Sequence, residues 1–339
     1  MSPSTPDLPR VVVLLATFDG MPYLPDQVRT VLDQEGVQVR VVASDDGSSD
    51  GTAQWLAEQA RTEPRLTLLP AVDGEGAVGT SASGSAAANF SRLLVEADVA
   101  DDELVALCDQ DDLWYPDRLA RGVAQVAAGC AGVSSDVVAF GEDGRRSYIR
   151  KAFAQRPFDY VCEGPGPGSS FLLDADLVAR CREQLADPDS PMRQMTYHDW
   201  AIYAVARGAG LRWQILDTPT LDYRQHDANV MGARTGLRAY ADRLRLVTSR
   251  WHRTQAALAA ATAARAAEQA TDRAAGQATD RTTHGPAQAP DLDALRELER
   301  LLADTSPRAR WALARRAGAL RRRRLDQAAL AVMVMCGIW

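Results

Sequence analysis

Short apolar runs alternate with amphipathic segments through the first half of the chain. Residues 11–16 (VVVLLA) are uninterrupted apolar positions, the pattern of a strand covered on both faces. Leu24, Val28, Val31 and Leu32 follow at i, i+4, i+7 and i+8, which places them on one face of a helix able to pack on that strand. A second strand is predicted at 37–44, running into DDGSSDGT (45–52), where Asp50 is placed to cap a helix through Trp55, Leu56 and Gln59. A third short strand (66–69) precedes a Gly/Ser-rich stretch that turns helical towards Phe90, Leu93 and Leu94. The fourth strand, LVALC (104–108), ends at DQDDLWYP, and Pro116 opens a helix carrying Leu119, Val123 and Val126 inward. Beyond it the pattern predicts a strand at 133–140, a Gly/Pro loop at 164–168, helices near 174–185 and from 198, and strands near 211–216 and 220–225. Strands alternating with helices predict an α/β fold, a mostly parallel sheet flanked by helices on both faces.

From Gly236 the pattern becomes helical and rich in Ala, Arg and Leu, so the chain divides into three parts. Residues 1–9 are expected to be disordered, 10–235 form the α/β domain, and 236–339 form a helical C-terminal region. QATDR occurs at 269–273 and again at 277–281 before GPAQAP, which predicts a flexible insertion at 268–290. With 339 residues, 46% of them hydrophobic, the chain can bury a sizeable core, and wholesale disorder is excluded. The five cysteines at 108, 130, 162, 181 and 336 form no C-x-x-C pair and no zinc pattern, so they are expected to be buried free thiols. VVVLLA is too short for a signal peptide and there is no 18-residue apolar run, so the expected location is cytoplasmic.

The candidate chemistry lies in acids that follow strands. Asp45-Asp46 and Asp109-Gln110-Asp111-Asp112 each stand directly after an apolar strand, at the sheet edge where open α/β folds bind ligands. Helix capping accounts equally well for Asp45-Asp46 alone, but poorly for three acids within four residues. Like charges facing one crevice call for a cation, and a divalent metal carrying a diphosphate satisfies them through carboxylate and phosphate oxygens. In YHDWAIYAV (197–205), Asp199 opens a predicted helix and offers a carboxylate for proton transfer. In DYRQHDANVMG (222–232), His226 is the one soft metal ligand.

VVVLLATFDG, ASDDGSSDGT, LCDQDDLW, YHDW and YRQHDANVMG, in this order, resemble inverting nucleotide-sugar glycosyltransferases of family 2 with the Rossmann-like GT-A fold, in the rhamnosyltransferase-like branch. The resemblance runs over about residues 10–235, and the Arg-rich tail is also similar to that branch. It implies that Thr17, Asp19 and one of Asp45 or Asp46 hold the nucleoside, the aspartate accepting from a pyrimidine N3–H. Asp109 and Asp111 would be the D-x-D, with Asp109 nearer the ribose and Gln110, Asp112 and Trp114 completing the donor side. Asp111 and His226 would bind a divalent cation, Mg²⁺ or Mn²⁺. Asp199 would be the general base, with Gly168, Ser169, His198 and Trp200 on the acceptor side. The implied donor is a dTDP- or UDP-sugar and the acceptor a glycan or lipid-linked hydroxyl. Three features depart from the family pattern: the long small-residue stretch 74–88, Asp227 after the histidine, and GPGPGSS (164–170). The first and third border the sugar and acceptor pockets, so the sugar is not inherited from the branch name.

The tail changes the electrostatic picture. Residues 308–324 hold eight arginines and no acid, so with a net charge of −7 the remainder of the chain carries −15. Arginines interleaved with Trp311, Leu313 and Leu320 lead into AALAVMVMCGIW (328–339), which suits adsorption to an anionic inner leaflet as well as packing on the protein itself. No aromatic platform or binding motif points to nucleic acid. Among rivals, an oxidoreductase would place G-x-G-x-x-G where ATFDGMPYL stands, and a nucleotidyltransferase needs a basic glycine-rich loop, whereas Lys151 is the only lysine. A catalytically silent, membrane-peripheral nucleotide-sugar-binding scaffold is the non-enzymatic alternative.

Overall fold

The computed structural model describes residues 8–70, 85–141, 143–225, 250–276 and 291–339. The central strand is β1 (Arg10–Thr17), whose Val11–Leu15 stretch is at most 1% exposed. It pairs in parallel with β2 (Gln38–Asp45) on one side and β4 (Glu103–Cys108) on the other. β3 (Leu66–Leu68) extends the sheet beyond β2. Beyond β4, the short β9 (Leu172–Leu173) runs antiparallel between β4 and β6 (Gly132–Ser135), and β10 (Trp213–Leu216) forms the edge. The order is therefore β10-β6-β9-β4-β1-β2-β3. The chain winds from β1 out to β3 and then returns to β4 on the opposite side of β1. That reversal opens a crevice outside the carboxyl ends of β1 and β4.

The two-residue period of β1 sorts the core into two layers. Val11, Val13 and Leu15 face α1 (Leu24–Leu32) and α4 (Arg118–Ala127), while Val12 and Leu14 face α3 (Ala86–Glu96), α5 (Ala175–Ala186) and α6 (His198–Gly208). The cap of α2 (Thr52–Thr62) differs from expectation. Gly51, in the left-handed region at φ 98°, occupies the cap position. Asp50 stands one residue earlier and accepts from the Thr52 N–H (3.0 Å) and from Met21 N–H (2.9 Å), tying two loops together.

The strand expected at 133–140 is two strands in two sheets. β6 stays in the main sheet, and β7 (Val137–Gly141) joins β5 (Leu113–Trp114), β8 (Arg146–Ile149) and β11 (Leu221–Gln225) in the order β5-β11-β7-β8. Asp136 makes the break. Its buried carboxylate takes donors from the Lys151 N–H, the Ala152 N–H (2.8 Å) and the Tyr148 hydroxyl, so the chain bends to supply them.

The C-terminal helices are α7 (Trp251–Gly276), α8 (Leu292–Ala303), α9 (Pro307–Arg315), α10 (Ala317–Leu320) and α11 (Arg324–Cys336). They complete the core: Ala256, Ala259, Ala260, Ala263 and Ala267 of α7 are 0% exposed and share one buried cluster with Ile202, Tyr203 and Val205 of α6. Residues 268–276, expected in the flexible insertion, continue α7. Alanine favours the helix, and Gln269 and Arg273 reach Glu183 while Arg273 also reaches Asp176 of α5. Residues 277–290, with the second QATDR, lie outside the described residues, as do 1–7. Pro9, placed in the expected disordered start, accepts the Gln38 N–H at 2.8 Å. Four cysteines are buried and free as expected, but Cys336 is exposed because it lies on the outer side of α11.

The approach of α6 to α7 depends on the absence of a side chain. A Cβ at Gly208 would stand 2.4 Å from the Ala263 carbonyl oxygen, which is backbone and cannot swing aside. Gly208→Ala is expected to lower stability by about 1–3 kcal/mol through forced separation of the two helices. Gly318→Ala, which meets only the Gln327 side chain at 3.9 Å, is the control. Thermal unfolding checks this, and a Gly208→Ala protein as stable as wild type would contradict the close approach.

Candidate active site

Thr17, Asp45 and Asp109 emerge from the carboxyl ends of β1, β2 and β4 into the crevice. The Asp45 carboxylate accepts from the Thr17 hydroxyl (3.0 Å), the Gly47 and Ser48 N–H groups (3.1 and 2.9 Å) and the Ser48 hydroxyl. It thus braces the loop after β2 from within, and Asp46 is buried beside it. Asp19 sits in the left-handed region at φ 45°. Its N–H donates to Ser48 Oγ at 2.8 Å, and its Oδ1 accepts the Ser49 N–H at 2.7 Å. Gln110 bridges the switch point: its Oε1 accepts the Phe18 N–H (2.7 Å) and its Nε2 donates to the Phe18 carbonyl (2.8 Å). Gly20 leaves room for that amide, since a Cβ there would lie 2.2 Å from Gln110 Oε1. The clamp leaves Phe18, the residue after β1, 55% exposed, an apolar side chain that no sequence motif marks.

The acids after β4 crowd one another. Burial, then Asp111 and then Asp199 push Asp109 up to about 7. Burial, then Asp111 and Asp109 push Asp112 well above the usual carboxylate range, despite the Arg224 N–H that its Oδ1 accepts at 3.0 Å. Arg224 also donates from Nε to the Asp111 carbonyl at 2.7 Å, with its guanidinium 4.6 Å from the rings of both Tyr23 and Phe140. The Tyr223 phenol is raised by burial and then by Asp109, Asp112, Asp111 and Asp199, which places it among all four carboxylates. β11 brings both residues here by pairing with β5, a long-range register that local patterning does not reveal.

Three of the residues expected at the site, like Thr17 and Asp45, are buried in this structure. Asp112 and Ser169 are 0% exposed and Trp114 is 4% exposed. The organiser is Arg118, whose charge stacks 3.5 Å from the Trp114 ring. It donates to the carbonyls of Leu107, Phe171 and Ser169, and its pKa is drawn down to about 9 by burial. In sequence it looks like an ordinary surface position of an amphipathic helix.

Asp199 stands in the first turn of α6, half-buried, its Oδ1 accepting the Trp200 N–H at 2.6 Å. Burial raises it to about 6, opposed by that N–H and then by the charge of Lys151. The other residues expected on the acceptor side pack on the protein around the start of α6. Trp200 is buried, with its indole N–H on the Tyr160 carbonyl at 2.7 Å. The His198 ring stacks on Phe90 at 4.0 Å and is held neutral by burial, at about 3. Its Nε2 abuts Gly168, where a Cβ would lie 2.4 Å away. His226 lies outside the described residues, the next position after β11.

A model of glycosyl transferase family 2 matches residues 12–174. The dTDP-rhamnosyl transferase RfbG of Shigella flexneri is 30% identical over 243 residues, covering 71% of this chain and 81% of that protein. The chain belongs to glycosyl transferase family 2. A second relative of this glycosyltransferase, the succinoglycan biosynthesis protein ExoO of Rhizobium meliloti, is 29% identical over 134 residues, 40% of this chain and 34% of the relative. Among solved structures, Staphylococcus aureus TarS 1–349 in complex with UDP-GlcNAc superposes with a TM-score of 0.52 at 15% identity, over 96% of this chain and 90% of that one. That likeness is one of fold, GT-A.

In this glycosyltransferase the acids suit a cation shared with a ligand. Among the described residues no three His, Cys, Asp or Glu side chains are disposed to hold a metal alone. Mutually repelling carboxylates at the crevice nevertheless fit a hard divalent ion whose remaining ligands are phosphate oxygens. Without ligand the repulsion opposes folding. Because the folded pKa of Asp109 is about 7 against an ordinary 3.8, its contribution to stability is present at low pH and lost as pH rises from about 4 to 7. Asp109→Asn is therefore expected to raise Tm of the metal-free protein at pH 8 by about 2–4 °C, with the gain shrinking towards pH 4. Calorimetry across pH checks it, and a lower Tm at pH 8 would show that ionised Asp109 stabilises the fold.

Proposed function

We propose that the enzyme moves a sugar from a dTDP- or UDP-sugar to a hydroxyl of a glycan or lipid-linked acceptor in surface polysaccharide synthesis, with inversion at the anomeric carbon. Thr17, Asp19 and one of Asp45 or Asp46 hold the nucleoside, with the exposed Phe18 ring beside them. Asp109 lies towards the ribose. Asp111 and His226 would hold Mg²⁺ or Mn²⁺, which would neutralise charge on the departing diphosphate. Asp199 accepts the proton of the acceptor hydroxyl as that oxygen bonds to the anomeric carbon, and the carbon–oxygen bond to the diphosphate breaks in the same displacement. The rhamnosyl donor named for the Shigella relative makes dTDP-rhamnose the first donor to try.

The observation that carries this reading is the placement of Asp199. A half-buried carboxylate with a pKa of about 6, across from the Asp109–Asp112 cluster, is ionised at neutral pH and basic enough to take a proton. His198 beside it is too weakly basic to compete, at about 3.

Asp199→Asn, which keeps shape and removes the base, is expected to cut kcat by about 10²-fold or more while nucleotide binding survives. In the wild type, protonation of Asp199 should make the rate fall about tenfold per pH unit below about 6. Steady-state assays of transfer and calorimetric titration of the nucleotide measure the two. A fully active Asn variant would remove Asp199 from the mechanism, and binding without turnover by the wild type would favour the scaffold.

A further inference from the structure

The outer face of α11 is apolar where a soluble helix is ordinarily polar. Leu325, Ala328, Ala329, Val332, Met335 and Cys336 are all exposed, Leu325 at 75% and Val332 at 61%. Their spacing of i, i+3, i+4, i+7, i+10 and i+11 gathers them within about 120° of the helix surface at 100° per residue. Leu330 and Val334, on the opposite side, are 0% exposed in the core. Beyond Gln327 the helix is thus apolar all round with only its inner half covered by described residues, a pattern that calls for a second apolar medium.

The surroundings say which medium. Arg308, Arg315, Arg323 and Arg324 are exposed on the same C-terminal segment, and Trp311, 54% exposed, carries the Arg315 guanidinium 4.5 Å from its ring. Over 308–339, eight arginines face one acid, Asp326, which pairs with Arg323 at 3.9 Å. Arg316 is engaged by Glu297 at 2.7 Å, and Arg321 and Arg322 by Glu163. A second copy of the chain would bring a segment of the same strong positive charge against this one. An anionic bilayer offers phosphates to the arginines and hydrocarbon to the stripe. No helix among the described residues is long and apolar enough to cross a membrane.

The same segment is fixed to the active site. Arg322, two residues before α11, is 5% exposed. Its N–H donates to Glu163 Oε1 at 2.6 Å, its Nη2 to the Gly164 carbonyl, and its Nε lies 3.6 Å from Asp159. Gly164 lies against Trp200, the residue after Asp199. We propose that the outer face of α11 docks on an anionic lipid surface, and that Arg322 holds this docked helix to Gly164, against Trp200, so that a lipid-linked acceptor reaches Asp199 from the bilayer. The second half rests on the glycosyltransferase mechanism above; the first does not.

Flotation of the full-length protein with phosphatidylcholine vesicles, with and without phosphatidylglycerol, tests the docking without nucleotide or turnover. The protein is expected to float with the anionic vesicles and be released by high salt. Leu325→Asp/Val332→Asp and, separately, Arg315→Glu/Arg324→Glu should each lower the bound fraction about tenfold or more. All four positions are exposed, and unchanged Tm with retained nucleotide binding confirms folding. Wild-type flotation by the variants, or no flotation by the wild type, overturns the proposal. In the latter case a doubled mass in light scattering, abolished by Val332→Asp, assigns the face to a second copy. If docking holds while transfer from any nucleotide sugar fails, the lipid surface stands and the catalytic reading falls.

Discussion

Electrostatic repulsion among Asp109, Asp111, Asp112 and Asp199 is the constraint around which the site is built. The parallel sheet brings three of these acids out at its carboxyl edge, and α6 sets the fourth opposite them. Burial alone would push such groups towards the neutral form. The surrounding protein offsets only part of the cost, through the Arg224 N–H on Asp112, buried Arg118 near Asp112, and Lys151 near Asp199. What remains is a crevice poised for positive charge, consistent with a ligand that arrives as a diphosphate with its cation.

Precision at this edge comes from polar groups turned inward. Asp45 takes four donors from its own loop and from Thr17, and Gln110 locks the backbone of Phe18 across the switch point. Arg118 joins the end of β4 to the loop at 168–171. Buried polar groups of this kind tolerate few alternative arrangements, because each unmade bond costs about 1–3 kcal/mol. The C-terminal helices extend the same logic, with alanines on α7 allowing close backbone approach and Arg322 tied to Glu163 and to the Gly164 carbonyl.

Much of this was legible in the chain. β1, β2, β4 and the helices after them follow from two- and 3.6-residue periods, and acids standing directly after strands mark the crevice. Periodicity is local, however, and three features are not. The split at Asp136 arises because a buried carboxylate finds donors at 151 and 152, the antiparallel β9 enters from far along the chain, and β11 reaches the acids through its register with β5. Arg118 and Arg322 read as surface charges until their carbonyl and carboxylate partners are seen.

The central claim, that these carboxylates await a metal-bound nucleoside diphosphate, is tested most directly by thermal unfolding with dTDP, UDP and GDP, each with and without Mn²⁺ or Mg²⁺. A ligand bound only by the native state raises Tm. The account predicts a rise with a pyrimidine diphosphate that requires the metal. A shift equal with and without metal, or none with any nucleotide, would contradict it.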